Sequence, residues 1–91
     1  MTPVMPKVEI YTTRWCPYCH AAKALLDAKG VSYEETAVDG DQAKRDWLRE
    51  ASGQRTVPQV FIDGKPYGGF SDLAALDRQG RLEPLLAGDA A

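Results

Sequence analysis

The sequence predicts an α/β fold in which four strands carry helices on both faces. A strand, a helix and a second strand follow one another within about 30 residues, between Lys7 and Val38. A second amphipathic helix comes next, and the hairpin signal Asp63-Gly64 then precedes a third helix. Because a strand–helix–strand unit joins parallel strands by a right-handed crossover, we expect the first two strands to be parallel.

The first half of the chain holds this unit. Residues 7–12 are apolar in their middle, as expected for a buried strand. Residues 18–29 show the pattern of the first helix, which Gly30 ends as a left-handed cap. Residues 31–38 alternate in polarity and are rich in β-branched and aromatic side chains, which predicts the second strand.

The second half continues with a helix, two strands, a helix and a short final turn, predicted at residues 42–52, 59–63, 65–68, 70–79 and 82–86. Asp41 is the expected N-cap of the second helix. Trp47 falls on the apolar face of that helix, so we expect it in the core. Pro66 cannot donate a ladder hydrogen bond, which predicts that the fourth strand lies at a sheet edge.

Composition excludes several classes of protein. The chain has 91 residues, 44% of them apolar and 26% charged, which is typical of one small globular domain. A formal net charge of −2 gives no general attraction to nucleic acid or to an anionic membrane. Residues 1–7 lack the apolar stretch of a signal peptide, and no run is long enough to span a bilayer. We therefore expect a cytoplasmic protein.

The chemistry of the chain centres on its two cysteines, Cys16 and Cys19, which are spaced C-x-x-C. They stand where the first strand ends and the first helix begins. Unpaired backbone N–H groups and the helix dipole favour a thiolate at this position, and Pro17 suits the first helical turn. We expect Cys16 to be exposed and to act as the attacking thiolate. Cys19 is expected to be more buried and to act as the resolving thiol.

Three motifs share one resemblance. Cys16-Pro17-Tyr18-Cys19, Thr56-Val57-Pro58 and Gly68-Gly69-Phe70-Ser71-Asp72 together resemble the dithiol glutaredoxin family over residues 7–86. The resemblance implies a thioredoxin-like fold with a four-stranded mixed sheet in the order 2-1-3-4. It also implies that residues 1–91 form a single glutaredoxin domain.

The same resemblance implies a glutathione site built from Arg14, Tyr18, Arg45, Thr56, Val57, Pro58, Gly69, Phe70, Ser71 and Asp72. In the family, the proline of the second motif is cis and faces the redox cysteine. Two positions depart from the pattern. Many glutaredoxins carry lysine where this chain has Thr13, which leaves Arg14 or Arg45 for the glycine carboxylate of glutathione. Many also carry cysteine where this chain has Phe70.

The activity implied by the resemblance is glutathione-dependent thiol–disulfide exchange through Cys16 and Cys19. Glutathione would serve as the reducing co-substrate, with no tightly bound cofactor and no metal. The implied partners are glutathione and proteins that carry a disulfide or a glutathione adduct, with ribonucleotide reductase as one candidate. We expect a monomer that binds neither nucleic acid nor membrane.

Alternative functions remain open at this point. The chain could be a redoxin served by a flavoprotein thioredoxin reductase. A dimer could carry an iron–sulfur cluster whose four thiolate ligands come from two chains and two glutathiones. The run from Cys16 to His20 also matches the C-x-x-C-H haem-attachment pattern, although an export context is lacking. Two cysteines and one histidine cannot complete a zinc site in one chain.

Overall fold

The computed structural model describes residues 6–88. Four strands and four helices follow in the order β1 (Val8–Thr12), α1 (Pro17–Ala28), β2 (Glu34–Ala37), α2 (Gln42–Ser52), β3 (Gln59–Ile62), β4 (Lys65–Gly68), α3 (Phe70–Arg78) and α4 (Leu82–Ala87). Residues 1–5 and 89–91 lie outside the described residues.

The strands form one mixed sheet in the order β2-β1-β3-β4, which confirms the predicted thioredoxin-like order. β1 and β2 are parallel, with Ile10 opposite Glu35. β3 runs antiparallel to β1, with Ile10 opposite Val60, and β4 is antiparallel to β3 at the sheet edge. The sheet therefore combines the crossover unit and the hairpin that the sequence predicts.

The larger core lies on the face of the sheet covered by α1, α3 and α4. Its buried members are Val8, Ile10, Ala22, Leu26, Val60, Ile62, Leu73, Leu82 and Leu86. Alternate residues of β1 and β3 point to this face because successive side chains of a strand project to opposite sides. Burial of this apolar surface against three helices is the main source of stability for the fold.

The opposite face of the sheet is covered by α2, through a smaller cluster of Tyr11, Val38, Leu48 and Phe61. The prediction that Trp47 belongs to the core is wrong, since its side chain is 48% exposed. Its ring lies over the cluster, with centroids 5.9 Å from Phe61 and 5.3 Å from Tyr11. One helix is too narrow to cover this face, so Trp47 shields its margin while the other side of the ring meets solvent.

Most helices and strands begin and end within one residue of the positions predicted from the sequence. β2 is the exception. Asp41 caps α2, because its carboxylate accepts the backbone N–H of Lys44 at 3.0 Å. α1 starts one residue before the predicted position, at Pro17. β2 is four residues long, because only Glu34 to Ala37 pair with β1. No helix within residues 6–88 is long and apolar enough to cross a membrane.

Candidate functional site

Cys16 occupies the N-cap of α1, directly after the loop that leaves β1. Its backbone is extended, with φ −111° and ψ 107°, and Pro17 follows in the first turn. The backbone N–H of Cys19 donates to Cys16 Sγ over 3.1 Å. Because this N–H has no partner inside the helix, its hydrogen bond favours negative charge on the sulfur. The predicted strand-to-helix position of the pair is therefore confirmed.

The two thiols differ in accessibility, although less than expected. Cys19 is 1% exposed and Cys16 is 9% exposed, so Cys19 is the more buried as predicted. The expectation that Cys16 is freely exposed is wrong. The loop before β3 reaches over it, and Cys16 Sγ lies 3.7 Å from the carbonyl oxygen of Val57. A substrate sulfur must therefore approach along the cleft beside Val57.

Cys19 is held in its thiol form by its surroundings. Burial raises the pKa of the Cys19 thiol to about 12, and its hydrogen bond with Cys16 acts in the same direction. The backbone of Thr13 and the charge of Lys23 oppose this rise in pKa without cancelling it. Cys19 is thus a neutral, protected thiol within reach of the Cys16 sulfur.

The loop that faces Cys16 is fixed by a buried amide. Val57 and Pro58 are joined by a cis peptide bond, as the resemblance implied. The Gln59 side chain is 1% exposed, and its Nε2 donates to Gln54 Oε1 and to the carbonyl oxygen of Thr56, both at 2.9 Å. Neither Gln54 nor Gln59 was predicted from the sequence to belong to the site. The available signal was a polar Gln59 at the start of a strand that is otherwise fully apolar.

The far side of the site is the turn from β4 into α3. Gly68 has φ +92°, and a Cβ there would overlap the Asp72 carboxylate. A Cβ at Gly69 would lie 3.1 Å from the carbonyl oxygen of Pro58, so a side chain there would fit only if the Pro58 loop shifted by a few tenths of an ångström. Asp72 Oδ2 accepts the backbone N–H of Gly69 at 3.0 Å, which closes the first turn of α3. The turn brings the start of α3 close to the loop beside Cys16.

A groove of about 230 Å³ lies between these two sides, beside Cys16. Eight of the ten predicted glutathione-site residues line it, together with Gln54, namely Tyr18, Thr56, Val57, Pro58, Gly69, Phe70, Ser71 and Asp72. The rings of Tyr18 and Phe70 stack with centroids 6.5 Å apart and form one apolar wall. We call this cleft the redox groove.

The two predicted arginines do not line the redox groove in the described part of the chain. The backbone N–H of Arg14 donates to both carboxylate oxygens of Asp39 at 3.0 Å, which anchors the loop before Cys16. Arg45 lines a neighbouring groove, which shares Gln54 and Val57 with the redox groove. Of the two, only Arg45 therefore has a place at the end of the cleft.

Among residues 6–88, no group of three or more His, Cys, Asp or Glu side chains is arranged to hold a metal ion. This part of the chain instead brings together a dithiol, the loop with the cis Val57-Pro58 bond and the N-terminus of α3 around one cleft.

Comparisons with known proteins agree with this geometry. The family model described as Glutaredoxin matches residues 8–67. Glutaredoxin 3 of Escherichia coli (strain K12) is 57% identical over 82 residues, which cover 90% of this chain and 99% of that protein. The solution structure of glutaredoxin from Brucella melitensis matches with a TM-score of 0.84 and 41% identity, covering 96% of this chain and 95% of that one. The crystal structure of a buckwheat glutaredoxin–glutathione complex matches with a TM-score of 0.85 and 34% identity, covering 94% and 83%.

Proposed function

Because the chain belongs to the glutaredoxin family and is a thiol–disulfide oxidoreductase, we propose that it works with glutathione as its reducing co-substrate. Its substrates are glutathionylated proteins and protein disulfides. The observation that carries this proposal is the convergence of eight predicted residues on one groove beside Cys16. The whole groove is built from a single chain, so a monomer suffices. We take residues 1–91 as one domain acting in the cytoplasm, where its dithiol is kept reduced.

Cys16 is the proposed nucleophile. Its thiolate attacks the glutathione sulfur of a glutathionylated protein, a Cys16–glutathione disulfide forms, and the protein sulfur leaves as a thiolate that takes up a proton. A second glutathione thiolate then attacks the bound glutathione sulfur. This step releases oxidised glutathione and returns Cys16 as thiolate. Removal of glutathione therefore uses Cys16 alone.

Cys19 is the proposed resolving thiol for protein disulfides. After Cys16 has formed a mixed disulfide with the substrate, Cys19 loses its proton and attacks Cys16 Sγ. A Cys16–Cys19 disulfide forms and the substrate sulfur leaves as a thiolate, which takes up a proton. Burial keeps Cys19 protonated until this step. We expect the potential of the pair to fall near −200 to −230 mV, roughly the range for glutaredoxins.

The redox groove matches the polar groups of glutathione. The free backbone edge at Val57 can pair with the extended tripeptide. Unpaired N–H groups at the start of α3, near Ser71, suit the γ-glutamyl carboxylate, and the exposed Asp72 carboxylate suits the ammonium group. Arg45, at the other end of the cleft, is the proposed partner of the glycine carboxylate.

Substitution of each cysteine tests the proposed roles. Cys16→Ser should abolish the release of glutathione from a glutathionylated peptide, since no thiolate remains to attack. Cys19→Ser should keep that activity and lose the reduction of protein disulfides, because the mixed disulfide is no longer resolved. Rates follow from NADPH consumption coupled through glutathione reductase. Equal loss of both activities in Cys19→Ser would contradict the division of roles.

The reducing system is tested with the wild-type protein. The oxidised Cys16–Cys19 form is supplied either with glutathione and glutathione reductase or with thioredoxin reductase, each with NADPH. We expect rapid reduction by glutathione only. Faster reduction by thioredoxin reductase would replace the proposal with the redoxin alternative.

A further inference from the structure

Three arginines stand close together beside the redox groove. Arg45, Arg49 and Arg55 line a neighbouring cavity of about 160 Å³. Within residues 6–88, none of their guanidinium groups lies within 4.0 Å of a carboxylate, whereas Lys7, Lys23 and Lys29 all do. We call this cavity the arginine cleft.

The positive charge of the arginine cleft is opposite in sign to the formal net charge of the chain, which is −2. Arg45 and Arg49 are four positions apart on α2, so their like charges are neighbours on the helix surface, and Asp46, three positions before Arg49, offsets part of their repulsion. One carboxylate also lines the cleft, that of Asp46, and it accepts a hydrogen bond from Gln42 at 2.9 Å. A cluster of three arginines with a single carboxylate beside it is explained if an anionic group binds there.

The cleft and the redox groove are continuous. Gln54 and Val57 line both, so they form the junction, and Cys16 Sγ lies 3.7 Å from the Val57 carbonyl oxygen. The exposed carboxylate of Asp72 lines the redox groove but not the arginine cleft. A chain segment bound across Val57 therefore meets positive charge on one side of its reacting cysteine and negative charge on the other.

We propose that this charge order selects protein substrates, favouring a basic residue before the reacting cysteine and an acidic residue after it. The inference rests on the proposed function, because the direction comes from glutathione, whose ammonium end we assign to Asp72 and whose glycine end we assign to Arg45. Arg49 and Arg55 line the same cleft as Arg45 and add two further positive charges to it. They are thus specificity residues for an acidic side chain of a protein segment.

Two peptides of identical composition test the charge order. Acetyl-Lys-Ala-Cys-Ala-Glu-amide and acetyl-Glu-Ala-Cys-Ala-Lys-amide are each activated at the cysteine as the 2-pyridyl disulfide. Attack by Cys16 on the peptide sulfur forms a Cys16–peptide disulfide, breaks the peptide–pyridyl bond and releases pyridine-2-thione, which is followed by absorbance. Cys19→Ser protein is used so that the adduct is not resolved. We expect the Lys-first peptide to react roughly three- to tenfold faster at low salt, as expected for two exposed ion pairs.

Matched variants identify the residues responsible. Arg49→Gln with Arg55→Gln should bring the ratio of the two rate constants towards one, and added salt should do the same in the parent protein. Lys65→Gln with Arg78→Gln removes the same charge from residues that line neither groove and should leave the ratio as it was. Equal rates for the two peptides in the parent, or a ratio that survives loss of Arg49 and Arg55, would overturn the inference. Failure to release glutathione from an uncharged glutathionylated peptide would instead contradict the proposed function.

Discussion

The two thiols of the redox pair sit in contrasting surroundings although they are one helical turn apart. Cys16 faces the cleft and accepts the N–H of Cys19 at 3.1 Å, whereas Cys19 is almost fully enclosed. Burial is the largest cause that raises the pKa of Cys19 to about 12. A thiol that stays neutral at physiological pH is protected from unwanted oxidation, and it reacts only when a disulfide forms beside it.

The raised pKa of the Cys19 thiol predicts how the stability of the reduced protein depends on pH. In the unfolded chain Cys19 loses its proton near its ordinary pKa of 9.0, but in the folded protein it does so near 12. Between these values the folded state binds more protons than the unfolded state, so stability falls as pH rises. From pH 8 to pH 10 the free energy of unfolding of the reduced wild type should drop by about 1 kcal/mol more than that of Cys19→Ser. Urea unfolding at both pH values measures this, and parallel changes in the two proteins would contradict it.

At three residues, the environment depends on distant parts of the chain and could not be predicted from the local sequence pattern. The strand-to-helix position of Cys16 followed from local pattern, but its burial depends on Val57, which is 41 positions away in the chain. Trp47 was misassigned because helical phase indicates a face and not how much of that face its neighbours cover. Gln59 was missed because its role, holding the loop at Thr56, appears only once that loop has folded back.

At the scale of elements, one carboxylate links β1, β2 and α1. Glu35 of β2 accepts a hydrogen bond from the buried Thr12 hydroxyl of β1 at 2.8 Å and from Lys23 of α1 at 3.0 Å. The hydrogen bond from Thr12 contributes most to the lowered pKa of Glu35, and the hydrogen bond and charge of Lys23 lower this pKa further. Lys23 lies one turn after Cys19 on the same helix, so this contact helps to fix the helix that carries the redox pair.

Removal of the hydroxyl should weaken this link. Thr12→Val keeps the shape of the buried side chain, and we expect it to lower the free energy of unfolding by about 1 kcal/mol at pH 7, a value reduced because the Glu35 side chain is 37% exposed. A carboxylate with a lowered pKa stabilises the fold above its ordinary value of 4.5 and loses this contribution as pH falls below it. The difference between the proteins should therefore shrink at pH 3.

A matched control lies on the neighbouring strand. Thr36 is partly exposed on β2, and Thr36→Val makes the same chemical change on the opposite face of the strand from its neighbour Glu35. We expect a change of less than about 0.5 kcal/mol and no dependence on acid. Urea unfolding at pH 7 and pH 3 compares the variants. A loss in Thr12→Val that stays constant with pH would show that the hydroxyl does not act through the carboxylate.

At the scale of the whole molecule, the sheet separates two cores of unequal size, and the site lies where both meet solvent. The parallel pairing of β1 and β2 follows from periodicity, whereas the position of β3 beside β1 came from the family resemblance. The periodicity of the sequence could not give this order. Every strand buried on both faces of the sheet has the same apolar pattern, whichever strand lies beside it. The redox groove combines segments from α1, the loop before β3 and the start of α3, so its shape depends on the strand order.

The larger core lies between one face of the sheet and the helices α1, α3 and α4. Leu26 is fully buried on α1 and packs within the cluster on that face of the sheet. Leu26→Ala should lower the free energy of unfolding by about 3 kcal/mol, a large share of the roughly 5–15 kcal/mol of a small domain. Leu25 is only partly buried beside the same cluster, so Leu25→Ala should cost about 1 kcal/mol. Both variants should keep the urea m-value of the wild type, since the surface exposed on unfolding is nearly the same. An equal cost for the two leucines would mean that α1 does not present Leu26 to the main core, and the placement of Cys16 by that helix would then need another explanation.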